Sequence, residues 1–491
     1  MLCRLIKIKI SLSIVLMLIF VSSVFAIEEQ MKPVNPKDIK VEPPSMQKFD
    51  EAADKENLEA TFPEEFWWED FNDPILTSYI KSALDNNYDL KSAFLVIEES
   101  RELVRESFGN ELPVLGINPA YTRQKNSKNL TTPQLESFMG TGPKLFSPGS
   151  SVNIFNMPLN ASYEADFWLK NRNITKAKKV QYESTKQTFK TLLVLISTEV
   201  ANAYFNLIKA DKLVQLQQEE IALYKDQLDI IKSQNEAGLV SDIEVVDVQN
   251  ALVEAEATLP KYQLLQDLFA HQLSVLMGQS TANSKSIERA SIDQLNIPEK
   301  VKTGLPSELI SRRPDVIAKE LELQKARIEV SLARKAFLPS VMLSGSYGYG
   351  TTKLKQLFNW ESMMTYFTSS IAQTLLAGGS RRAALRARKF KYEQKLYAYY
   401  QSVLTAFQDV EDGIASFNRH SEENGMSLTR IKLVNDNIDM QDCKYDQGLI
   451  PYIDVLKYKI QKVELEKSQL ANKTDCLTDI LSIYKALGGG Y

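Results

Sequence analysis

Apolar residues recur every three or four positions through two very long segments of the chain. The first segment runs Leu193, Ile196, Val200, Ala203, Leu207, Ala210 and Val214, and the second runs Leu396, Tyr400, Val403, Phe407, Val410, Ile414 and Phe417. A period close to 3.5 residues is typical of coiled-coil helices. The pattern predicts long helices at 171–236 and 380–447, each roughly 100 Å long at about 1.5 Å per residue.

Each long segment ends in a glycine-led turn and is followed by a second helical segment. The turns are Gly238-Leu239-Val240-Ser241 and Gly448-Leu449-Ile450-Pro451. The returning helices, predicted at 242–278 and 452–487, would cover about half of their partners, roughly 50 Å. Helices predicted at 87–111 and 313–337 have the right length to stack above them. We therefore expect long antiparallel helix pairs.

Four stretches between the helices alternate apolar and polar residues, as strands do. They are Leu115–Arg123, Val152–Tyr163, Val341–Tyr349 and Met364–Gln373, within strand regions at about 113–166 and 339–375. Each is about ten residues, long enough for a tilted membrane strand. Four strands cannot close a barrel, and an open sheet edge in lipid is prohibitively costly, so membrane strands would require several copies of the chain. No helix looks apolar enough to span a bilayer, which leaves the strands to do so.

The chain also repeats itself. Asn86–Leu90 is echoed by Arg312–Val316, and Gly238–Val245 is echoed by Gly448–Val455. These echoes predict an internal two-fold repeat, with halves at 75–300 and 301–491 after an N-terminal segment at 27–74. The predicted fold class is therefore mainly α with a small β part.

The N-terminal segment 1–26 has the pattern of a secretory signal. Arg4, Lys7 and Lys9 precede the apolar run Ile10–Val21, and Val24-Phe25-Ala26 offers a small-residue cleavage site. The formal charge of −4 gives no indication of a nucleic-acid partner. In an exported chain, Cys443 and Cys476 would first be taken as a disulfide. The predicted hairpin places them some 30 Å apart, beyond the roughly 7 Å limit for bridged Cα atoms, so we expect free thiols.

Several motifs resemble those of the TolC-like outer-membrane efflux proteins, in the branch that serves resistance-nodulation-division pumps. They are Trp67–Pro74, Asp166-Phe167-Trp168, Leu305–Leu309, Arg312-Arg313-Pro314-Asp315, Phe337–Ser340, Ala377–Arg382 and Tyr484–Gly490. The resemblance implies a homotrimer with a 12-stranded outer-membrane barrel and a 12-helix periplasmic tunnel, closed at its tip until an adaptor protein and an inner-membrane pump engage it. This branch usually carries a lipidated cysteine after the signal. Ile27 stands there in this chain, so we expect no lipidation.

Three aspartates near the second turn are candidate gate residues. Asp436, Asp439 and Asp442 recur at steps of three on one flank of the second long helix. In a trimer they would form carboxylate rings that repel each other and bind cations. A solvated coiled-coil face is an equally good interpretation, and the resemblance favours a gate at Asp436 and Asp439 more than at Asp442.

The two turns are candidate docking tips for the adaptor, with residues Gly238 to Ser241 and Gly448 to Pro451. Their apolar pairs either fold back as an ordinary helix-end contact or stay exposed for a partner. Basic residues at the start of both long helices fit a solvated surface, our preferred interpretation, or contact with anionic outer-membrane lipid.

The sequence shows no catalytic or metal-ligating pattern and implies no cofactor. His271 and His420 are the only histidines, and neither has metal-ligand spacing around it. The predicted function is a passive outer-membrane conduit through which an inner-membrane pump expels drugs or other small molecules. Alternatives are an outer-membrane component of protein secretion and a periplasmic coiled-coil scaffold without a pore.

Overall fold

The protein is described from a computed structural model that covers residues 58–59, 66–129, 149–292, 295, 297–298, 301–302 and 306–490. The predicted signal and Ile27 lie outside these residues. The α-helices are α1 (Pro74–Asn86), α2 (Tyr88–Gly109), α3 (Lys170–Glu236), α4 (Asp242–Leu276), α5 (Pro306–Arg312), α6 (Pro314–Lys335), α7 (Ser380–Asp446) and α8 (Tyr452–Ala486). The strands are β1 (Leu58–Glu59), β2 (Val114–Ile117), β3 (Ala120–Lys125), β4 (Ser151–Ala165), β5 (Val301–Lys302), β6 (Ser340–Thr351) and β7 (Met363–Ala372).

Three pairs of helices have equal lengths. Helices α3 and α7 each contain 67 residues, α4 and α8 each contain 35, and α2 and α6 each contain 22. The starts of α2 and α6 have the same separation in sequence as the echoed motifs that begin at Asn86 and Arg312. The starts of α7 and α8 follow those of α3 and α4 at the separation of Gly238 and Gly448. These pairs of helices therefore begin at the same sequence offsets as the echoed motifs.

Helix α3 corrects the expectation that no helix is apolar enough to span a bilayer. It contains a window long and apolar enough to cross a membrane by length and composition alone, although 61% of that window is buried. Val200, Tyr204 and Leu207 within the helix are fully buried. The apolar window therefore serves as the packing face of a core helix.

The chain divides into two compact units, and the first contains the sheet. Among the described residues this unit comprises those within 100–181 and 324–394. Its sheet has the antiparallel order β2-β4-β6-β7, with β3 also paired to β4. The register sets Ala165 of β4 opposite Val341 of β6, and Ser340 of β6 opposite Ala372 of β7. The chain therefore leaves β4 and β7 at the same end of the sheet, where α3 and α7 begin.

The sheet has five strands where the sequence predicts four. The candidate strand at 115–123 divides into β2 and β3, which pair with successive parts of β4. The break falls at Asn118 and Pro119, because proline has no N–H to donate to a ladder. The backbone N–H of Asn118 still bonds the Pro158 carbonyl at 3.2 Å, which keeps the break against β4.

The second unit comprises the described residues within 42–99, 182–323 and 395–491 and holds the main core. Trp67, Trp68, Tyr204 and Tyr484 are fully buried in this core. Asp73 caps α1 by accepting hydrogen bonds from its first backbone N–H groups, and its other carboxylate oxygen accepts the Tyr204 hydroxyl at 2.8 Å. The aromatic segment before α1 is thereby fixed to the middle of α3.

Candidate channel tip and gate

The two turns that join the long helices to their partners have the same backbone geometry. Gly238 and Gly448 adopt φ angles of 72° and 71°, in the left-handed region that favours glycine. Each glycine N–H bonds a carbonyl three residues back, and the next N–H bonds one five residues back, all at 2.8–2.9 Å. This is a Schellman helix end, and it lets the chain reverse within a few residues.

The leucine of each apolar pair points into solvent. Leu239 is 75% exposed and Leu449 is 68% exposed, while Val240 and Ile450 are half-buried. Neither leucine therefore makes the fold-back contact with its helix end, which excludes that interpretation for both leucines. Each tip presents an apolar side chain that nothing within the described chain covers.

Side chains outside the turn support the two tips differently. At the first tip, the Asn235 amide donates to the Val240 carbonyl at 3.1 Å and to the Asp242 carboxylate at 2.9 Å. At the second, the Tyr445 and Tyr452 rings pack with centroids 5.1 Å apart. The similar backbones thus carry different chemistry.

The structure separates the three candidate gate aspartates. Asp442 lies 3.7 Å from the Lys459 ammonium of α8. Asp436 and Asp439 are exposed and have no ion pair among the described residues. At about 100° per residue they lie on the side of α7 roughly opposite Val434, which is buried against α8. The carboxylate flank is therefore a free face of the helix for two of the three residues.

Two further helix faces in the same unit are apolar and exposed. The exposed residues of these faces include Ile243, Val246, Val253, Leu264, Leu268 and Val275 on α4, and Tyr397, Leu404, Met426, Leu433 and Met440 on α7. Each set lies along one side of its helix, since most of the spacings are close to multiples of 3.5 residues. We name these sets the α4 stripe and the α7 stripe. The α4 stripe lies opposite the buried face that holds Leu252 and Ala255.

Arg313 is a structural anchor in this unit whose role the sequence did not reveal. Its side chain is 9% exposed and forms ion pairs with Asp315 at 2.7 Å and Asp409 at 2.9 Å. It also donates to the Ala486 carbonyl at 3.2 Å, at the end of α8. Burial alone raises the pKa of Asp315, but the hydrogen bond and charge of Arg313 outweigh it and leave that pKa lowered. The arginine thus ties α6, α7 and α8 together.

Further ionisable groups lie between α7 and α8. The His420 Nδ1 lies 2.7 Å from the Asp479 carboxylate, and this hydrogen bond raises the pKa of His420. Cys443 is exposed and Cys476 is buried, and the two are unbonded, as expected. No group of three or more His, Cys, Asp and Glu side chains in the described part of the chain is placed to hold a metal ion.

These features define a class: a mainly helical protein of long antiparallel hairpins with apolar tips, attached to a small antiparallel sheet. The chain belongs to the outer membrane efflux protein family, whose model matches residues 79–279 and 305–489. Members of this family are transport proteins of the outer membrane, and the chain is an outer-membrane efflux protein of the TolC-like type. The sequence-based family prediction is thereby confirmed.

Individual relatives agree with this assignment. The chain is 26% identical over 430 residues to the probable efflux pump outer membrane protein TtgC of Pseudomonas putida, covering 87% of this chain and 86% of that protein. It is 25% identical to the cation efflux system protein CusC of Escherichia coli, covering 87% and 88%. In fold it is similar to the outer-membrane channel OprN, with a TM-score of 0.82 at 22% identity over 94% of this chain and 99% of that one. The CmeC channel of Campylobacter jejuni also gives 0.82, at 21% identity over 92% and 93%.

Proposed function

We propose that three copies of this chain assemble into one conduit, with the sheets closing a barrel in the outer membrane and the helices closing a periplasmic tunnel. The sheet has two open edges within the described residues, β7 on one side and β2 with β3 on the other. Such edges are too costly to leave unpaired in lipid, and pairing with neighbouring copies satisfies them. The internal repeat, supported by the equal helix lengths, would give each copy two similar hairpins.

The observation that carries this proposal is the match between the α4 and α7 stripes. Val246 and Met440 are equally far in sequence from the glycine of their own tip, and so are Val253 and Leu433, which lie further from the tips. All four side chains are more than half exposed. Fully burying a fully exposed side chain of this kind contributes about 1.5–3 kcal/mol, and since these side chains start a little over half exposed, each would contribute roughly half of that when a neighbouring copy covers the stripe. If α7 packs antiparallel on α4 of the next copy, Met440 lies beside Val246 and Leu433 lies beside Val253.

Cysteine crosslinking tests the arrangement in a background without Cys443 and Cys476. The pairs V246C/M440C and V253C/L433C should each give a covalent trimer on a denaturing gel under mild oxidation. The mismatched pair V246C/L433C is offset by about two helical turns, about 10 Å along the helix, and should crosslink poorly. Monomers from both matched pairs, or equal yields from matched and mismatched pairs, would overturn the proposed interface.

In this assembly the aspartate flank forms the gate and the tips dock the adaptor. Asp436 and Asp439 would each contribute three carboxylates to a negative constriction, which attracts cations. The exposed Leu239 and Leu449 would contact the helical hairpin of a periplasmic adaptor, which links the conduit to an inner-membrane pump. The conduit itself transports passively, and relatives named for toluene and cation efflux favour small-molecule cargo.

Conductance in planar bilayers tests the gate. Replacing Asp436 and Asp439 with Asn should weaken block by trivalent cations and reduce cation selectivity while the trimer stays assembled. Asp226→Asn, on an exposed position of α3, is the matched control and should change neither quantity. Unchanged block and selectivity in the double variant would return the two aspartates to the solvated-face interpretation.

A further inference from the structure

The first turns of α3 and α7 concentrate positive charge in an otherwise acidic chain. Residues 167–181 contain five basic and no acidic residues, and residues 373–392 contain six basic and no acidic residues. Since the whole chain has a formal charge of −4, the rest of it carries −15. Both windows belong to the unit that holds the sheet. Positive charge is thus gathered at the end of the sheet where β4 and β7 leave it.

The basic positions recur between the two helices. Four basic positions match at the offset that separates Gly238 from Gly448: Arg172, Lys176, Lys178 and Lys179 in α3 correspond to Arg382, Arg386, Arg388 and Lys389 in α7. We name these eight residues the basic band. The charge pattern is therefore common to both halves of the chain.

Intramolecular contacts do not account for most of this charge. Arg388 pairs with Glu329 at 2.6 Å, whereas the other seven members of the basic band have no ion pair among the described residues. Cations in the first turns of a helix oppose its dipole, so they do not stabilise α3 or α7 locally. The concentrated charge is therefore available to an anionic partner outside the chain.

Exposed apolar side chains lie next to the basic band, between it and the strands. Phe167 is 70% exposed, and Leu375 and Leu376 are each 89% exposed. Trp168, 42% exposed, is held in place because its indole N–H donates to the Pro339 carbonyl at 2.8 Å. Aromatic and apolar residues followed by Lys and Arg are the arrangement that anchors a protein at a bilayer surface, with the apolar groups in the acyl region.

We propose that the basic band binds the anionic headgroups of phospholipids in the inner leaflet of the outer membrane. This inference rests on the proposed insertion of the sheet as a barrel. From Arg172 to Lys179 the helix rises about 10 Å, somewhat more than the roughly 5–8 Å that one headgroup layer adds to the hydrocarbon core. The band thus fixes the depth of the barrel and recruits anionic lipid around it.

The test measures lipid binding to the purified trimer in detergent by native mass spectrometry, with phosphatidylglycerol and phosphatidylcholine as probes. Each basic residue near an anionic surface contributes roughly a factor of five in affinity. The wild-type trimer should therefore prefer phosphatidylglycerol by at least about tenfold, and the variant K176Q/K178Q/K179Q/R382Q/R386Q should lose that preference.

A matched control removes the same number of charges elsewhere. The variant K232Q/K261Q/R430Q/K432Q/K444Q changes five exposed residues of the other unit and should bind like wild type. If the five-site band variant fails to assemble, K176Q/K178Q/K179Q and R382Q/R386Q are measured separately, and each should lose part of the preference.

Three results would overturn the proposal: a wild-type trimer without headgroup preference, band variants that bind like wild type, or full displacement of the lipid by millimolar inorganic phosphate. The last result would indicate a simple phosphate site. Barrel assembly is tested separately by crosslinking, so a crosslinked trimer without lipid preference refutes the lipid proposal alone.

Discussion

Replacing Arg313 should loosen the junction of three helices while leaving the rest of the helical unit folded. The guanidinium bonds both oxygens of Asp315, at 2.9 and 2.7 Å, and lies 2.9 Å from Asp409. It also donates to the Ala486 carbonyl, which as part of a helix end has no intrahelical donor of its own. Arg313→Met preserves much of the side-chain length but removes every one of these bonds.

The expected cost follows from burial. Removing one partner of a buried ion pair costs about 3–5 kcal/mol, and a single hydrogen bond to a charged group is worth about 1.5–3 kcal/mol. The arginine side chain is 9% exposed, but the Asp315 and Asp409 side chains are 39% and 43% exposed, so water recovers part of the loss. We therefore expect about 3 kcal/mol, near the lower limit, or roughly a hundredfold increase in local opening.

Hydrogen exchange of the purified protein measures this directly. Amides in the last turn of α8 and the first turns of α6 should exchange roughly a hundredfold faster in Arg313→Met. Arg312→Met is the matched control, because Arg312 is 53% exposed and its pair with Glu308 spans one helical turn, worth about 0.3–0.5 kcal/mol. Equal exchange rates in the two variants would refute the anchoring role assigned to Arg313.

Acid should have the same effect as the Arg313 substitution. Since the folded pKa of Asp315 is lowered, its contribution to stability is present above the unfolded value, about 4, and is lost as pH falls through the folded value. The protection factor of amides at the α8 terminus, which corrects the exchange rate for its intrinsic pH dependence, should therefore fall at low pH in wild type. In Arg313→Met that fall should be largely absent.

Three further predictions concern single side chains. Burial raises the pKa of Cys476 to about 12, so a thiol reagent should label exposed Cys443 rapidly and Cys476 only after unfolding, as read by mass spectrometry. Because the pKa of His420 is raised in the folded state, its bond to α8 stabilises the fold below the unfolded pKa, about 6.5, and this contribution is lost as pH rises. His420→Gln should therefore remove this part of the pH dependence of the thermal unfolding temperature. Gly448→Ala should cost about 1–2 kcal/mol at the tip, measured by exchange, whereas Gly425→Ala within α7 should be neutral or stabilising.

The helical part of the fold was the most predictable from sequence. The 3.5-residue period predicted a first long helix at 171–236, and α3 occupies Lys170–Glu236. Periodicity records which side of a helix is buried, so it survives without knowledge of the partner. The predicted fold class, mainly helical with a small sheet, is confirmed. The trimeric barrel stays a proposal.

Long-range polar contacts were not predictable in the same way. Nothing in the sequence indicated that Asp73 would accept the hydroxyl of the distant Tyr204, or that Lys467 would join Gln217 and Glu220 at 2.6 and 2.7 Å. Such pairs leave no periodic pattern, because each depends on how two distant helices are rotated against each other. The strand break at Pro119 was missed for a different reason, since alternation was weighed without the missing N–H.

The candidate gate aspartates show how the structure changes a hypothesis built on spacing. By their spacing alone, Asp436, Asp439 and Asp442 are equivalent. The Lys459 ammonium, however, lies 3.7 Å from Asp442 and pairs with neither of the other two. A carboxylate beside a cation contributes little net field to a constriction, because the two charges largely cancel at a distance. In the proposed trimer the unpaired carboxylates of this flank would therefore number six, in two levels. Neutralising Asp442 should consequently affect cation block much less than neutralising either of the other two.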